Sequence, residues 1–325
     1  MYLCINKVIK TMETTKKYEL SNETIEINGV TLHRIKALKD FSSVKSGDLG
    51  GWIEKEENLS QMGNAWIGGD AKVFGNAKVY DGAKVYGMAK VFDNAWVCGN
   101  AIVEGNAEVF VDAIIYDNAE VYANAKVYGN AWVYGKSKVF GNARIYNNAK
   151  VFGNVEVYDN AKICGDAIIY GNAEVYGDAN VCGNVYIYGN ALIYGDAKVL
   201  GDAEVFDEVE ICGNAVVCDD AKVYNHARVF GNAKVYNNAK VFDDADVCGN
   251  AEVYDNAEIC GNAVVFSKSK VCDNAKVFGN AFVYGDALVW DNARVEGNAV
   301  VRGNAEICGN AVVCNTSDYI TFKNF

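Results

Sequence analysis

The sequence predicts an all-β fold, a single-stranded parallel β-helix of triangular section with about 14 coils of 18 residues and a small N-terminal cap. Three observations predict it. From Gly63 ("GNAWIG") to Cys314 ("GNAVVC") the chain repeats every six residues without insertion or deletion, 252 residues or 42 hexads. Position 5 of the hexad is Val or Ile in all 42, and position 3 is Ala except at Ser137, Ser269, Val155, Val185 and Val209. Proline, which would remove a ladder donor at nearly any position of such a fold, is absent from all 325 residues.

Positions 3 and 5 are inward sites, one small and one β-branched, separated by a residue facing outward. Position 1 is mostly Gly, otherwise chiefly Asp or Asn, and position 2 is mostly Asn or Asp. These residues accept a tight or left-handed backbone at low cost. A strand of about four residues and a two-residue corner, repeated, coil the chain, and three corners close a triangle. With coils about 4.8 Å apart, the rod is about 65–70 Å long.

Read from the valine, "VYGNAK" resembles the hexapeptide pattern of left-handed β-helix proteins, an aliphatic residue first and a small residue four places later. The resemblance implies a left-handed coil, opposite to ordinary parallel crossovers. Those families often place Gly directly after the aliphatic residue, whereas this chain puts Tyr, Phe or Cys there and delays Gly by one.

Residues 1–62 are a different text, with a hairpin signal at Asn28 and Gly29 in "TIEINGVTLHRI". They are expected to cap the first coil, since an open solenoid end exposes both core and strand edge. Residues 63–314 form the helix, and the tail 315–325, with Tyr319, Ile320, Phe322 and Phe325, is expected to cover the last coil. The stretch "ALKDFSSVKSGDLGGWIEKEENLSQMGNAWIGGDAKVFGNAKV", above all Asp48 to Gln61, resembles the N-terminal part of the YdcK-like bacterial proteins. That resemblance implies a cap leading into a left-handed β-helix and a transferase label, carried by analogy with hexapeptide acyltransferases of the same fold. "MYLCINKVIKTMETTKK" supports neither a signal peptide nor a membrane span, so the expected address is cytoplasmic, and Met12 is an alternative start.

Ten of the eleven cysteines take position 6, where Tyr or Phe usually stands, and so read as small apolar substitutes. Cys164 and Cys182 alone share a corner in adjacent coils, close enough to pair, although a cytoplasmic setting favours free thiols. No Cys-x-x-Cys occurs, so no zinc or other metal site is expected.

Acyl transfer, as the resemblance implies, uses a histidine base beside a coenzyme A groove. The chain has two histidines, His33 in the cap and His226 in the Asn slot of "NHARVF", both weak catalytic candidates. No coil extrudes a loop of the kind that usually carries a site. Asp219 with Asp220 and Asp243 with Asp244 fall in turn slots, where Asp is expected without calcium. No cofactor is expected, with acetyl-coenzyme A as substrate the alternative.

Position 4 returns to the same face every third hexad. The first face reads Lys72, Lys90, Glu108, Lys126, Arg144, Lys162, Asn180 and Lys198, with a weaker apolar patch, Val264, Phe282 and Val300, expected toward its far end. The second reads Lys78, Trp96, Ile114, Trp132, Lys150, Ile168 and Tyr186, an apolar stripe where the repeat prefers charge. A contiguous stripe is a candidate contact surface, so Trp96, Ile114, Trp132, Ile168 and Tyr186 are the candidate interface for a homo-oligomer or protein partner. Position 6 is aromatic in most hexads, which reads as structural ladders. A net charge of −12 argues against nucleic acid. The expectation is a non-catalytic scaffold or protein-binding rod, with an acyl-coenzyme A dependent acyltransferase as the alternative.

Overall fold

The computed structural model describes residues 16–314. The alternative start at Met12 and the expected covering of the last coil by residues 315–325 lie outside the described residues. Within them the chain is a parallel β-solenoid. Positions 4 and 5 of each hexad form a strand, as in Lys72–Val73, Lys78–Val79 and Lys84–Val85. Every third strand pairs in parallel and in register, as in Trp66↔Lys84↔Ile102 and Lys78↔Trp96↔Ile114.

Three sheets result. The second face runs through 14 strands from Lys78–Val79 to Val312–Val313, and the third through 14 from Trp66–Ile67 to Val300–Val301. The first face, from Lys72–Val73 to Glu306–Ile307, joins three cap strands in a 17-stranded sheet. The patch Val264, Phe282 and Val300 stands on the third face, not the first as expected, because its 18-residue steps start from Trp66 rather than Lys72.

Most strands are two residues long, shorter than the predicted four, because the corner claims the flanks of each hexad. The Ala77 N–H reaches back to the Phe74 carbonyl at 3.4 Å across the residues between. Between coils, N–H groups at positions 2, 4 and 6 donate to carbonyls at positions 1, 3 and 5 one coil on: Asn76 to Asp93 at 2.6 Å, Lys78 to Ala95 at 2.9 Å, Tyr80 to Val97 at 3.1 Å. Positions 3 and 5 fill the interior, and from Val79 to Val295 they are buried throughout. The two serines at position 3 are buried as well, their hydroxyls donating to the Tyr134 and Phe266 carbonyls three residues back.

The corner conformation is nearly uniform, with the largest departure, φ 121°, at Gly183. Position 1 has positive φ whatever its residue: 60° at Asp81, 60° at Asn147, 59° at Ala123, 62° at Val111. Aspartate there compensates for the backbone it must adopt. The Asp81 and Asp291 carboxylates accept the N–H of position 1 in the next coil, from Gly99 at 3.3 Å and Gly309 at 3.0 Å. Asparagines at position 2 stack into ladders, each amide donating to the next side-chain oxygen, as from Asn106 through Asn124, Asn142 and Asn160 to Asp178 at 2.9–3.2 Å. Aspartate, which only accepts, ends such a run.

The cap comprises β1 (Tyr18–Ile27), β2 (Val30–Ala37) and β3 (Leu49–Ile53). β1 and β2 form the predicted hairpin, with Asn28 at φ 51° and Gly29 at φ 80° as its two-residue turn. β3 pairs antiparallel with β2 and parallel with the first coil, Trp52↔Lys72 and Ile53↔Val73. The backbones approach closely enough that a Cβ on Gly51 would lie 2.5 Å from the Ala71 carbonyl oxygen. Polar side chains after β3 then satisfy the open edge. Glu54 accepts the Gly75 N–H at 2.6 Å, and buried Asn58 donates to the Gly75 and Ala77 carbonyls at 3.1 and 2.9 Å. Gln61 binds the Lys17 N–H at 2.8 Å and the Tyr18 carbonyl at 3.2 Å. Lys17, its pKa pushed down to about 8 by burial and by Lys39, donates to the Ala65 carbonyl at 2.8 Å. The segment "DLGGWIEKEENLSQ" is thus the text that docks cap to coil.

Val111 is the β-branched residue in a left-handed corner, a conformation costing an L-residue about 1–2 kcal/mol. Val111→Gly is expected to stabilise the protein by about 1 kcal/mol, read as a higher urea midpoint with unchanged slope. A lower midpoint would contradict this account of the corner.

Candidate functional site on the second face

The stripe stands where the sequence puts it. Trp96, Trp132 and Tyr186 are 42%, 38% and 45% exposed, large values for such side chains in a folded surface, while Ile114 and Ile168 are half-buried between them. Position 4 points outward because position 5 points in, and the 18-residue register stacks Trp96, Ile114, Trp132, Lys150, Ile168, Tyr186 and Glu204 in one column. The indoles lie edge-on to the position 6 rings of the coil before, Trp96 to Tyr80 at 6.1 Å and Trp132 to Tyr116 at 6.4 Å. Lysines cover part of them: the Lys78 ammonium is 5.6 Å from the Trp96 ring and that of Lys150 is 5.3 Å from the Trp132 ring.

These edge contacts disclose what the sequence reading missed. The position 6 column beside the stripe belongs to the same face, and it holds the longest stack among the described residues. Eight rings, Tyr116, Tyr134, Phe152, Tyr170, Tyr188, Phe206, Tyr224 and Phe242, follow one another with centroids 4.5–5.2 Å apart. The second face is therefore apolar across two adjacent columns. The position 6 aromatics two places after the stripe are visible in the sequence, but the lean of each ring that joins the two columns is a property of the fold.

The other faces carry ion pairs in their outward columns, apart from the Val264, Phe282 and Val300 patch on the third, and their ring ladders, Phe74 to Tyr146 and Tyr122 to Tyr194, are shorter. On the first face Glu108 binds Lys90 at 3.1 Å and Lys126 at 2.7 Å, which offsets its basic reading, and Glu252 binds Lys234 and Lys270 at 3.3 and 3.1 Å. On the third, Lys138 pairs with Glu156 at 2.9 Å and Arg228 with Asp246 at 2.7 Å. The lower part of the second face continues in this manner, with Glu258 between Lys240 and Lys276 at 3.4 and 2.7 Å. The hydrogen bond from Lys276 leads the interactions that hold the Glu258 carboxyl below its ordinary pKa, against partial burial.

The histidines do not meet. His33 lies in β2 opposite Ile53, and His226 is on the far half of the rod, on the order of 40 Å from the first coil. His226 occupies the ladder slot between Glu208 and Asp244, at 3.3 and 3.8 Å from their carboxylates, in an exposed corner. Asp219 and Asp243 accept backbone N–H groups of the next coil, from Asn237 and Gly261 at 3.2 Å each. Among the described residues no group of three His, Cys, Asp or Glu is placed to hold a metal ion. No helix among them is long and apolar enough to cross a membrane.

Cys164 and Cys182 are joined by a disulfide between adjacent coils, with Cα atoms 4.6 Å apart. They occupy a break in the position 6 column of the first face, where Lys162–Gly165, Asn180–Gly183 and Lys198–Gly201 pair through the corner as four-residue strands. Burial pushes the Cys98, Cys248, Cys260 and Cys272 thiols up, and Cys218 to about 11, which makes them poor nucleophiles at neutral pH. An open depression of about 470 Å³ lies around Glu258, Cys260, Lys276, Phe278 and Arg294. Its charged groups are already engaged, Glu258 with Lys276 and Arg294 with Glu296 at 2.9 Å.

Partial burial, the largest cause in each case, pushes the Tyr116, Tyr158 and Tyr236 hydroxyls up to about 12. A raised folded pKa on an acid means that the unfolded state loses its proton first, near pH 10. Their contribution to stability is complete below pH 10 and is lost as pH rises toward 12. The larger part of the tyrosinate absorbance is thus expected to appear together with loss of β structure above pH 10; ionisation of most tyrosines near pH 10 with the fold intact would refute this.

No family model matches the chain. It is 40% identical over 60 residues, 16% of this chain, to a curated Escherichia coli (strain K12) protein named "Uncharacterized acetyltransferase YdcK". The match spans 18% of that relative's length, so the similarity reaches a short segment of each chain and leaves the rest of both uncompared.

Proposed function

We propose that the chain is a stiff, non-catalytic scaffold rod that docks protein through its second face, self-association being the leading form. The observation that carries this reading is the pairing of two apolar columns, Trp96, Ile114, Trp132, Ile168 and Tyr186 beside the ladder from Tyr116 to Phe242, on a molecule whose other faces are laced with ion pairs. A face of this kind gains by leaving water. Light scattering tests it: the native protein is expected to exceed the 35.3 kDa of one chain, and Trp132→Glu to return it to that mass. An unchanged mass in Trp132→Glu would count against this face.

A second reading is favoured by the relative's printed name and by the solenoid: an acetyl-coenzyme A dependent acyltransferase of the YdcK-like kind, its site completed between subunits. Titration calorimetry with acetyl-coenzyme A separates the two. Saturable binding weakened by His226→Ala or His33→Ala supports the transferase, and absence of heat at millimolar ligand leaves the rod.

A further inference from the structure

The second face is not only apolar; the order of its residues is complementary to its own reverse. Its outward column runs Lys78, Trp96, Ile114, Trp132, then Lys150, Ile168, Tyr186, Glu204. Folded about the point between Trp132 and Lys150, Lys78 meets Glu204, Trp96 meets Tyr186, Ile114 meets Ile168 and Trp132 meets Lys150. Each match is chemically sound: a charge pair, two aromatics, two aliphatics, and a cation on an indole. The adjoining position 6 column folds about the same point, Tyr80 onto Phe206, Cys98 onto Tyr188, Tyr116 onto Tyr170 and Tyr134 onto Phe152.

A two-fold axis lying in the face, along the strand direction, produces this set of contacts. It reverses the rod axis and keeps each column opposite itself, which is the self-complementary arrangement of an isologous dimer. We infer that the second face binds a second copy of this chain as an antiparallel dimer, with Lys78 against the partner's Glu204 and Ile114 against the partner's Ile168. This rests on the docking role proposed above and names its occupant and register.

The alternatives fail on charge. Parallel rods with the outward column opposite itself would set Lys78 on the partner's Lys78 and Lys150 on the partner's Lys150. Sliding the antiparallel pair by one coil one way sets Lys150 on the partner's Ile114, burying an ammonium against an aliphatic chain. Sliding it the other way sets Lys150 on the partner's Lys150. The matched register has one like-charge contact, Asp112 with the partner's Asp166, and it falls on the rim at position 2, where solvent screens it. Within one chain Lys78 already leans on Trp96 and Glu204 on Lys222 at 2.9 Å, so these end groups are held on the face that presents them.

The contact is about 34 Å long and about 13 Å wide, which over both partners is on the order of 1,000 Å², the low end for a specific interface. Micromolar dissociation is therefore expected. The test is sedimentation of the full chain from about 1 to 100 μM, with Lys78→Glu, Glu204→Lys and the double variant, together with a photo-crosslinking residue in place of Ile114. Each single change should weaken the dimer by about tenfold and the double change should restore it, and the crosslink should fall at the partner's Ile168. A dimer without charge rescue, crosslinked at the partner's Ile114, would overturn the antiparallel register and leave docking by this face standing. A monomer across the whole range would overturn both.

Discussion

The left-handed corner at position 1 is the constraint on which the rest of the molecule depends. It recurs at every sixth residue from Gly63 to Gly309 and holds the same φ near +60 to +70° at most sites, whether the residue is Gly, Asp, Asn, Ala or Val. Identical corners give coils of identical length, and equal coils bring every side chain above its equivalent 18 residues earlier. Stacked rings, asparagine ladders, alternating ion pairs and the buried Val and Ala columns are all consequences of that register. Stability then accumulates by contact between neighbouring coils, as in other repeat proteins.

The solenoid was legible in the sequence because its signal is periodic and redundant: one Gly-Asn-Ala hexad is ambiguous, and 42 in phase are not. Column membership is legible too, but only by stepping in 18s, which is why Val264, Phe282 and Val300 were expected on the first face and stand on the third. The candidate stripe could be read residue by residue, whereas its width could not. Tyr116 and Trp132 lie in different coils, and their adjacency rests on how a ring at position 6 leans toward the next coil. The cap resisted for the opposite reason. Asn58, Gln61 and Lys17 each act once, at the junction, and nothing in a unique position repeats to announce its role.

The N-terminal resemblance acquires a physical reading from the same junction. Asp48 to Gln61 supplies the third cap strand, the close approach at Gly51 and three side chains that satisfy an otherwise open edge. A segment under such demands is constrained by structure, so a likeness falling there would speak to how a solenoid begins more directly than to what reaction occurs along it. Function has to be sought on the coils, where the second face sets its apolar stripe beside the ring ladder from Tyr116 to Phe242.

The in-phase hexads also impose a reading frame on the molecule in three dimensions. Loss or gain of six residues anywhere along the rod would leave every corner, core position and hydrogen bond intact in kind, yet turn all that follows by a third of a revolution. Each face would then continue beyond that point into a different one; placed between Ile114 and Ile168, such a change severs Trp96 and Ile114 from Ile168 and Tyr186 without unfolding anything. Only changes in multiples of 18 keep a surface whole. A long interaction face on such a rod therefore preserves chain length in units of one coil, and the unbroken count from Gly63 to Cys314 is what such a surface requires.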